Sequence, residues 1–392
     1  MKRYYFDHSA TTRVDPAVAQ AMQEVMTVHF GNPSSLHSFG RDARVILEDA
    51  REEIAGMLHA DPAELYFTSG GTEADNIALI GVMMANRDRG NHLITSKIEH
   101  HAVLNAAEYL EKQGVCVTFV NPDAEGRIHP DTVLAEVTPE TVLISIMHVN
   151  NETGTINPIA EIGKIARERG ILMHTDAVQS FGKLPIDVQE MNLDLLSLSG
   201  HKIYGPKGIG ALFVRRGVKI QPRTFGGHQE REVRTGTENL PGAVGLAKAA
   251  MICREKMEEE AIRLTMLRDR FWNELQIRLD GIRLNGSQKH RLPGINNISF
   301  EGVEGEALLL SLDLKGIAVS TGSACSSGHV NASHVLLAMG VPPQIAQGSI
   351  RFSMGRENND EAVDYALDVV PQIVNNLRAM SFQSKDGAAQ KR

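Results

Sequence analysis

Three cysteines in 392 residues, Cys116, Cys253 and Cys325, are too few and too scattered for a disulfide framework. No CxxC pair occurs, which also excludes an all-cysteine zinc or iron–sulfur site built by one chain. Sparse cysteine suits a reducing compartment, so a cytosolic, cytoplasmic location is expected. Long apolar runs are missing as well. The longest mostly apolar stretch, residues 78–85, is far shorter than the roughly 20 residues of a membrane-spanning helix. The segment MKRYYFDHSATT has no apolar stretch ahead of a small-residue cleavage site, so no secretory signal is expected. Basic charge is not in excess: 40 Lys plus Arg stand against 48 Asp plus Glu, a net charge of −8. That balance excludes general nucleic-acid binding through a basic face. Internal repeats and low-complexity segments are absent. What remains, 42% hydrophobic and 22% charged residues, is the composition of a globular enzyme. At about 150 residues per domain the length suggests two domains.

Apolar strand-like runs alternate with amphipathic helical patterns over roughly the first half of the chain. Asp15-Pro16 offers an N-cap acceptor and a first-turn proline. A second helix is expected over 42–58. Seven strands are expected at 65–68, 92–95, 115–120, 142–149, 171–175, 193–198 and 209–214. Helical patterns separate the first several, at 72–86, 101–113 and 159–169. Strands joined by helices imply crossover units and a mostly parallel sheet covered on both faces. Beyond Pro241 a long charged helix over 243–279 leads into a mixed α+β region. It has strands at 296–300 and 317–320 and helices at 304–313, 333–339 and 360–379. The expected fold is α/β, with a large domain over 15–255. A smaller α+β domain comprises 1–14 and 256–380, and 381–392 form a polar tail.

Three motifs carry chemistry. Thr68-Ser69-Gly70-Gly71-Thr72-Glu73 turns from a strand into a helix, where free N–H groups and the dipole suit a phosphate. It is neither a Walker A loop nor GxGxxG. The bland reading is an ordinary strand-to-helix turn. Asp176 ends an apolar strand, the end that faces the ligand crevice in open α/β sheets. A carboxylate there can hold a ring N–H⁺, or merely cap the next segment. Lys202, in Ser199-Gly200-His201-Lys202, follows a buried strand inside a glycine-rich turn, where an amine can lose its proton and attack a carbonyl. Its alternative is a surface lysine. Phosphate cradle, carboxylate and amine together are what pyridoxal 5'-phosphate requires.

The runs SGGTEADN, SKIEHHAV, HVNNETG, HTDAVQS, SGHKIYGPKG and TGSACSS stand in one chain in that order. With YFDHSATT, GNPSSLH and IRFSMGR they closely resemble the NifS/IscS-type cysteine desulfurases, fold-type-I enzymes dependent on pyridoxal phosphate. The resemblance implies that Lys202 is the Schiff-base lysine. Asp176 would pair with the pyridine nitrogen and Gln179 with the ring's phenolic oxygen. His100 would stack on the ring and move protons. Gly71, Thr72, Ser199 and His201 would hold the phosphate, and Thr237 would reach in from a second subunit of a homodimer. Asn151 would touch both cofactor and substrate. It and Arg351 would bind the substrate carboxylate, with Asn32 close by, and Cys325 would accept sulfur. Each has a plainer reading: His100 as a helix-start polar residue, Arg351 as a strand charge, Asn151 as a cap.

Cys325 lies in Thr321-Gly-Ser-Ala-Cys-Ser-Ser-Gly-His329, among small and polar residues. Such a loop suits a travelling nucleophile better than core filler. Cys116 and Cys253, in a strand and a helix, are expected to be structural. The implied reaction converts L-cysteine to L-alanine and leaves a persulfide on Cys325. The sulfur then passes to a scaffold or other acceptor protein of iron–sulfur cluster assembly. His100 is the implied proton shuttle, because the ordinary histidine pKa lies near neutrality. A selenocysteine lyase or an aminotransferase of the same fold is the alternative. No metal site is expected from this chain alone. Cys325 with His329 and His334 would need a partner, although Cys325 could ligate a cluster on a scaffold. Departures from the family pattern are Gly226-Gly227-His228 for three glycines, Glu232 for glycine, Thr235 for serine, and His8 in the N-terminal motif. The long loop after Cys325 resembles the subgroup that delivers sulfur to a scaffold.

Overall fold

The computed structural model describes residues 2–321 and 332–389. Its centre is a seven-stranded sheet. The strands are β1 (Leu65–Thr68), β2 (His92–Ser96), β3 (Cys116–Val120), β4 (Thr141–Ser145), β5 (Leu172–Asp176), β6 (Leu195–Ser199) and β7 (Gly210–Val214). All seven fall within two or three residues of the expected starts, though the expected fourth strand ran on to residue 149. Their spatial order is β1-β7-β6-β5-β4-β2-β3. Pairing is parallel except at β7, which runs antiparallel to both β6 and β1. Every residue of β2, β4, β6 and β7 is buried, which is why these strands read as continuous apolar runs rather than alternating ones.

Two apolar clusters cover the faces of this sheet. One contains Leu47, Ile54, Ile144, Leu196 and Phe213, and the other Leu79, Val103, Leu110, Leu143 and Leu212. Cys253 is buried, as expected, with its thiol 3.6 Å from the Ile203 carbonyl. Cys116 corrects its expectation. It is exposed, because it begins β3, the edge strand of the sheet.

A third cluster, around Phe6, Phe271, Phe300, Leu312, Ile350 and Phe352, packs on a separate sheet. That antiparallel sheet has the order β10-β9-β8, with β8 (Ile282–Asn285), β9 (Ile295–Phe300) and β10 (Ser349–Ser353). Tyr4–Tyr5 pairs in parallel with Ile317–Ala318. β8 and the Tyr4–Tyr5 strand escape the periodicity reading because Arg283 and brevity break their patterns, and β10 because Ser349, Arg351 and Ser353 interrupt its apolar run. The long helix Leu240–Arg278 serves both bodies. Its buried residues through Cys253 join the large core, and Leu264, Leu267, Phe271 and Leu275 join the small one. The charged stretch Arg254–Glu260 lies between. The final helix runs from Asp360 to Ala389, beyond the expected end at 379. Among the described residues no helix is long and apolar enough to cross a membrane.

Candidate active site

The strands deliver their C-terminal ends to one cavity of about 840 Å³. Asp176 ends β5 and Ser199 ends β6, with His201 and Lys202 in the tight turn that follows. Gly71 and Thr72 begin the helix after β1. A β-carbon on Gly71 would stand 2.5 Å from Val178 Cγ2, so only glycine lets this helix start close against the Asp176 segment. His100 caps the helix His101–Lys112, its Nδ1 accepting from Ala102 N–H at 3.1 Å. Asn151 and Arg351 complete the wall.

The N-terminal segment closes the site from beneath. Lys202 Nζ donates to the carbonyls of Ser9 (2.6 Å) and Ala10 (2.8 Å). Gln179 Nε2 donates to the same Ser9 carbonyl at 2.9 Å. The Thr12 hydroxyl donates to the His201 carbonyl and accepts from Tyr204 N–H. Ser9 is held in turn by Ser353 Oγ, and His8 is fixed by the Ser353 carbonyl and Glu357. Residues 7–12 therefore tie the lysine turn to β10. Sequence reasoning missed this clasp because it acts through backbone carbonyls, which no side chain announces.

Charges in the cavity are strongly conditioned by burial. Asp176 is pushed up to about 6 by burial, against the pull of Val178 N–H and Lys202. Asp75, also in the wall, rises well above the usual carboxylate range through burial and the neighbouring Asp176. Its Oδ1 lies 3.6 Å from His174 Nε2 and has no hydrogen-bond partner among the described residues. Glu152 is pushed up to about 7 by burial, opposed by Ser333 and Arg351. Neither Asp75 nor Glu152 was singled out, although both sit inside quoted motifs. His100 is depressed to about 4, first by burial, then by Lys202 and His101. With Nδ1 accepting a backbone N–H, its neutral ring carries the proton on Nε2. A near-neutral titration of His100, the ground for the shuttle expectation, is not what its surroundings give. His201 is likewise held to about 4 by burial and Lys202.

Arg351 is 6% exposed. Its Nη1 donates to the Asn151 carbonyl (2.9 Å) and its Nη2 to Asp7 Oδ1 (2.8 Å), while Nε is buried without a partner among the described residues. Unpartnered buried polar atoms are rare in native structures, and each calls for an explanation such as a catalytic role or a bound water or ion. Two of them, on Asp75 and Arg351, line a cavity of the size used for cofactors and small substrates. The helix start at Gly71-Thr72, the Asp176 carboxylate and the Lys202 amine in the same wall fit a group with an anionic phosphate, a basic ring nitrogen and an aldehyde.

The family model for aminotransferase class-V matches residues 4–366. The chain belongs to the aminotransferase class-V family. It is similar to the cysteine desulfurase IscS of Dictyoglomus turgidum (strain DSM 6724 / Z-1310), with 50% identity over 382 residues and 97% of each chain covered. Among solved structures it matches a NifS-like protein at a TM-score of 0.90 and 38% identity, covering 95% of this chain and 100% of that one. A second, SspA in complex with cysteine, matches at 0.79 and 39%, covering 90% and 99%. The class-V fold and its dependence on pyridoxal phosphate stand on these matches.

Within this class-V cavity lie Gly71, Thr72, His100, Asn151, Asp176, Gln179, Ser199, His201, Lys202 and Arg351. Two expected residues lie elsewhere. Asn32 is exposed, its Oδ1 accepting from Ser34 N–H. Thr237 is exposed outside the cavity of its own chain. Cys325 and His329 lie outside the described residues.

Proposed function

We propose that this chain is a pyridoxal-phosphate-dependent cysteine desulfurase, taking L-cysteine to L-alanine and carrying the sulfur as a persulfide on Cys325. The observation that carries the reading is the convergence of Lys202, Asp176 and Arg351 on one cavity, in a chain 50% identical to a protein named for this activity. Gly71, Thr72, Ser199 and His201 would hold the phosphate, and Lys202 the aldehyde carbon. When bound, the cofactor supplies an electron sink for charge developing at the substrate α-carbon.

The chain's own residues do the rest. Arg351, with the nearby Asn151, receives the substrate carboxylate through charge-assisted bonds. The Lys202 amine takes the α-proton. The Asp176 carboxylate, buried beside Lys202, holds positive charge at the ring-nitrogen position. His100, in the cavity wall, would face the ring and offer Nε2–H to a developing negative charge. The Cys325 thiolate attacks the substrate sulfur: a sulfur–sulfur bond forms, the carbon–sulfur bond breaks, and its electron pair stays on the β-carbon, which takes a proton to become a methyl group; Lys202 returns a proton to the α-carbon, and alanine is complete.

We further place the division between large and small domains within the charged stretch of the long helix, near residues 255–256, and assign the chain to a homodimer in the cytoplasm. The exposure of the large apolar side chains Leu36 (91%) and Phe225 (87%) supports a covering subunit. Sulfur passes from Cys325 to an iron–sulfur scaffold or another acceptor protein. Borohydride reduction of the holoprotein followed by peptide mass mapping tests the assignment. A cofactor adduct on Lys202 is expected, and its absence overturns the reading. Cys325→Ala is expected to bind cysteine and form no persulfide. Alanine formed without any 2-oxo acid distinguishes the reaction from transamination.

A further inference from the structure

Gln179 is a side-chain amide whose two ends do opposite things. Nε2 donates to the Ser9 carbonyl at 2.9 Å, and Oε1 accepts from Lys183 Nζ at 3.4 Å. Lysine only donates and a carbonyl only accepts, so one amide orientation satisfies both partners. The flipped orientation sets N–H against ammonium and oxygen against oxygen. One Gln179 N–H goes to Ser9, and the second is left for the cavity that Gln179 lines.

Lys183 reaches Gln179 because the chain turns tightly between them. Phe181 N–H bonds the Ala177 carbonyl and Lys183 N–H the Ser180 carbonyl. Gly182 has φ +73°, and a β-carbon there would stand 2.9 Å from Ile203 Cγ2 and 3.2 Å from Cys253 Cβ. The lysine lies between the main cavity and a second, small one of about 40 Å³ that Lys183, Tyr204, Cys253 and Glu260 help line. Burial depresses its ammonium to about 8, with Arg351 adding to the effect. Such a group is costly to keep unless its donors are used.

We propose that Lys183 is a positioning residue for the cofactor: by fixing the amide of Gln179 it directs the free N–H of that side chain at the phenolic oxygen of pyridoxal phosphate. The inference rests on the proposed function and on the role the resemblance implies for Gln179, pairing with the phenolic oxygen, and deepens it. Bonding at Oε1 also polarises the amide and strengthens its N–H as a donor.

The test titrates the visible absorption band of purified holoprotein with pH and measures pyridoxal phosphate affinity. Lys183→Met is expected to move the midpoint of the band upward by about half to one pH unit and to weaken cofactor binding about 3- to 10-fold, the effect of one lost hydrogen bond. Lys183→Arg, which keeps only donors, is expected to titrate like the wild type. Gln179→Leu is expected to give the same shift as Lys183→Met, and the double variant no more than either single one. Thermal melts report whether each variant folds. If Lys183→Met does not fold, Lys183→Gln replaces it, since an amide meets Gln179 with either end and permits the flip. A Lys183 variant titrating like the wild type, or a shift that adds to that of Gln179→Leu, overturns the proposal. A wild-type midpoint in Gln179→Leu places the failure in the role of Gln179, and a holoprotein with no visible band places it in the proposed function itself.

Discussion

Arg51 and Glu230 form a two-pronged pair, Nη1 to Oε2 and Nη2 to Oε1, each at 2.8 Å. Both side chains are buried, at 4% and 3% exposure. Glu230 also accepts Phe67 N–H from β1, and the Arg51 guanidinium stacks on the Phe67 ring at 4.8 Å. The pair thus fastens residues 228–233 to the first strand of the sheet. Removing one partner leaves a buried charge unpaired. Glu230→Ala is expected to cost about 3–5 kcal/mol in denaturant unfolding. Glu53→Ala, which loses only an exposed pair with Arg254 at 3.5 Å, is expected to cost under about 1 kcal/mol.

The same segment stores backbone strain. Glu230, Arg231 and Glu232 have φ of 41°, 51° and 68°, three consecutive left-handed residues with β-carbons. The Arg51 and Phe67 contacts explain how Glu230 is kept there. Among the described residues, Glu232 has only an exposed contact to His228 at 2.6 Å. Glycine adopts such angles freely. Glu232→Gly is expected to stabilise the protein by about 1 kcal/mol, read as a higher denaturation midpoint at unchanged slope. A lower midpoint contradicts the strain assignment.

Much of this architecture was legible because its signals are local. Five residues of buried strand, a proline-started helix at Asp15, and the Gly70-Gly71 turn each declare themselves within a short window. The lining of the central cavity was legible for a different reason: its residues sit in ordered motifs at strand ends, where a parallel sheet gathers them. The clasp of Ser9 and Ala10 on Lys202 was not, since main-chain acceptors are invisible in side-chain identity and the contact joins residues nearly 200 positions apart. Nor was the state of His100, whose ordinary pKa misleads once burial and Lys202 act together. Cys116 failed for want of the sheet order: its apolar neighbours suggest a core strand, and only topology places it at an edge.

Buried carboxyls impose a pH signature. Glu99 is pushed up to about 8, chiefly by burial, although Ser96 and Met147 N–H bond its carboxyl. Its Oε2 has no partner among the described residues. The folded chain therefore binds a proton that the unfolded chain releases near its ordinary value of 4.5. Stability from this group is complete below that value and falls as pH rises toward 8. Glu99→Gln keeps the shape and removes the titration. Relative to the wild type it is expected to gain stability as pH rises through this window, by at most about 1.4 kcal/mol per unit. Buried His174, depressed to about 3, acts in the opposite sense, losing stability as pH falls below 6.5. Because both variant and parent carry it, it cancels in the difference. Denaturant unfolding of the cofactor-free protein at pH 5, 6.5 and 8 checks this, and a pH-independent difference contradicts it.

Arg351 tests how the substrate is held. Two of its nitrogens are spoken for by the Asn151 carbonyl and Asp7, and its buried Nε is unpartnered among the described residues. Each Nη carries a second N–H beyond these bonds, so a planar fork held at two points gives a carboxylate a fixed direction of approach. Lysine brings a charge to the same region without that direction, and it cannot reach Asp7, the Asn151 carbonyl and a substrate at once. Arg351→Lys is therefore expected to raise KM for L-cysteine about 10- to 100-fold, the loss of charge-assisted bonds to one carboxylate. The effect on kcat is expected to be smaller, because the fork holds the same carboxylate before and during the reaction. The absorption spectrum of the bound cofactor should not change, since no cofactor atom is assigned to this side chain. Steady-state alanine formation measures both constants. A fall in kcat at unchanged KM would move Arg351 from substrate binding to the chemical step.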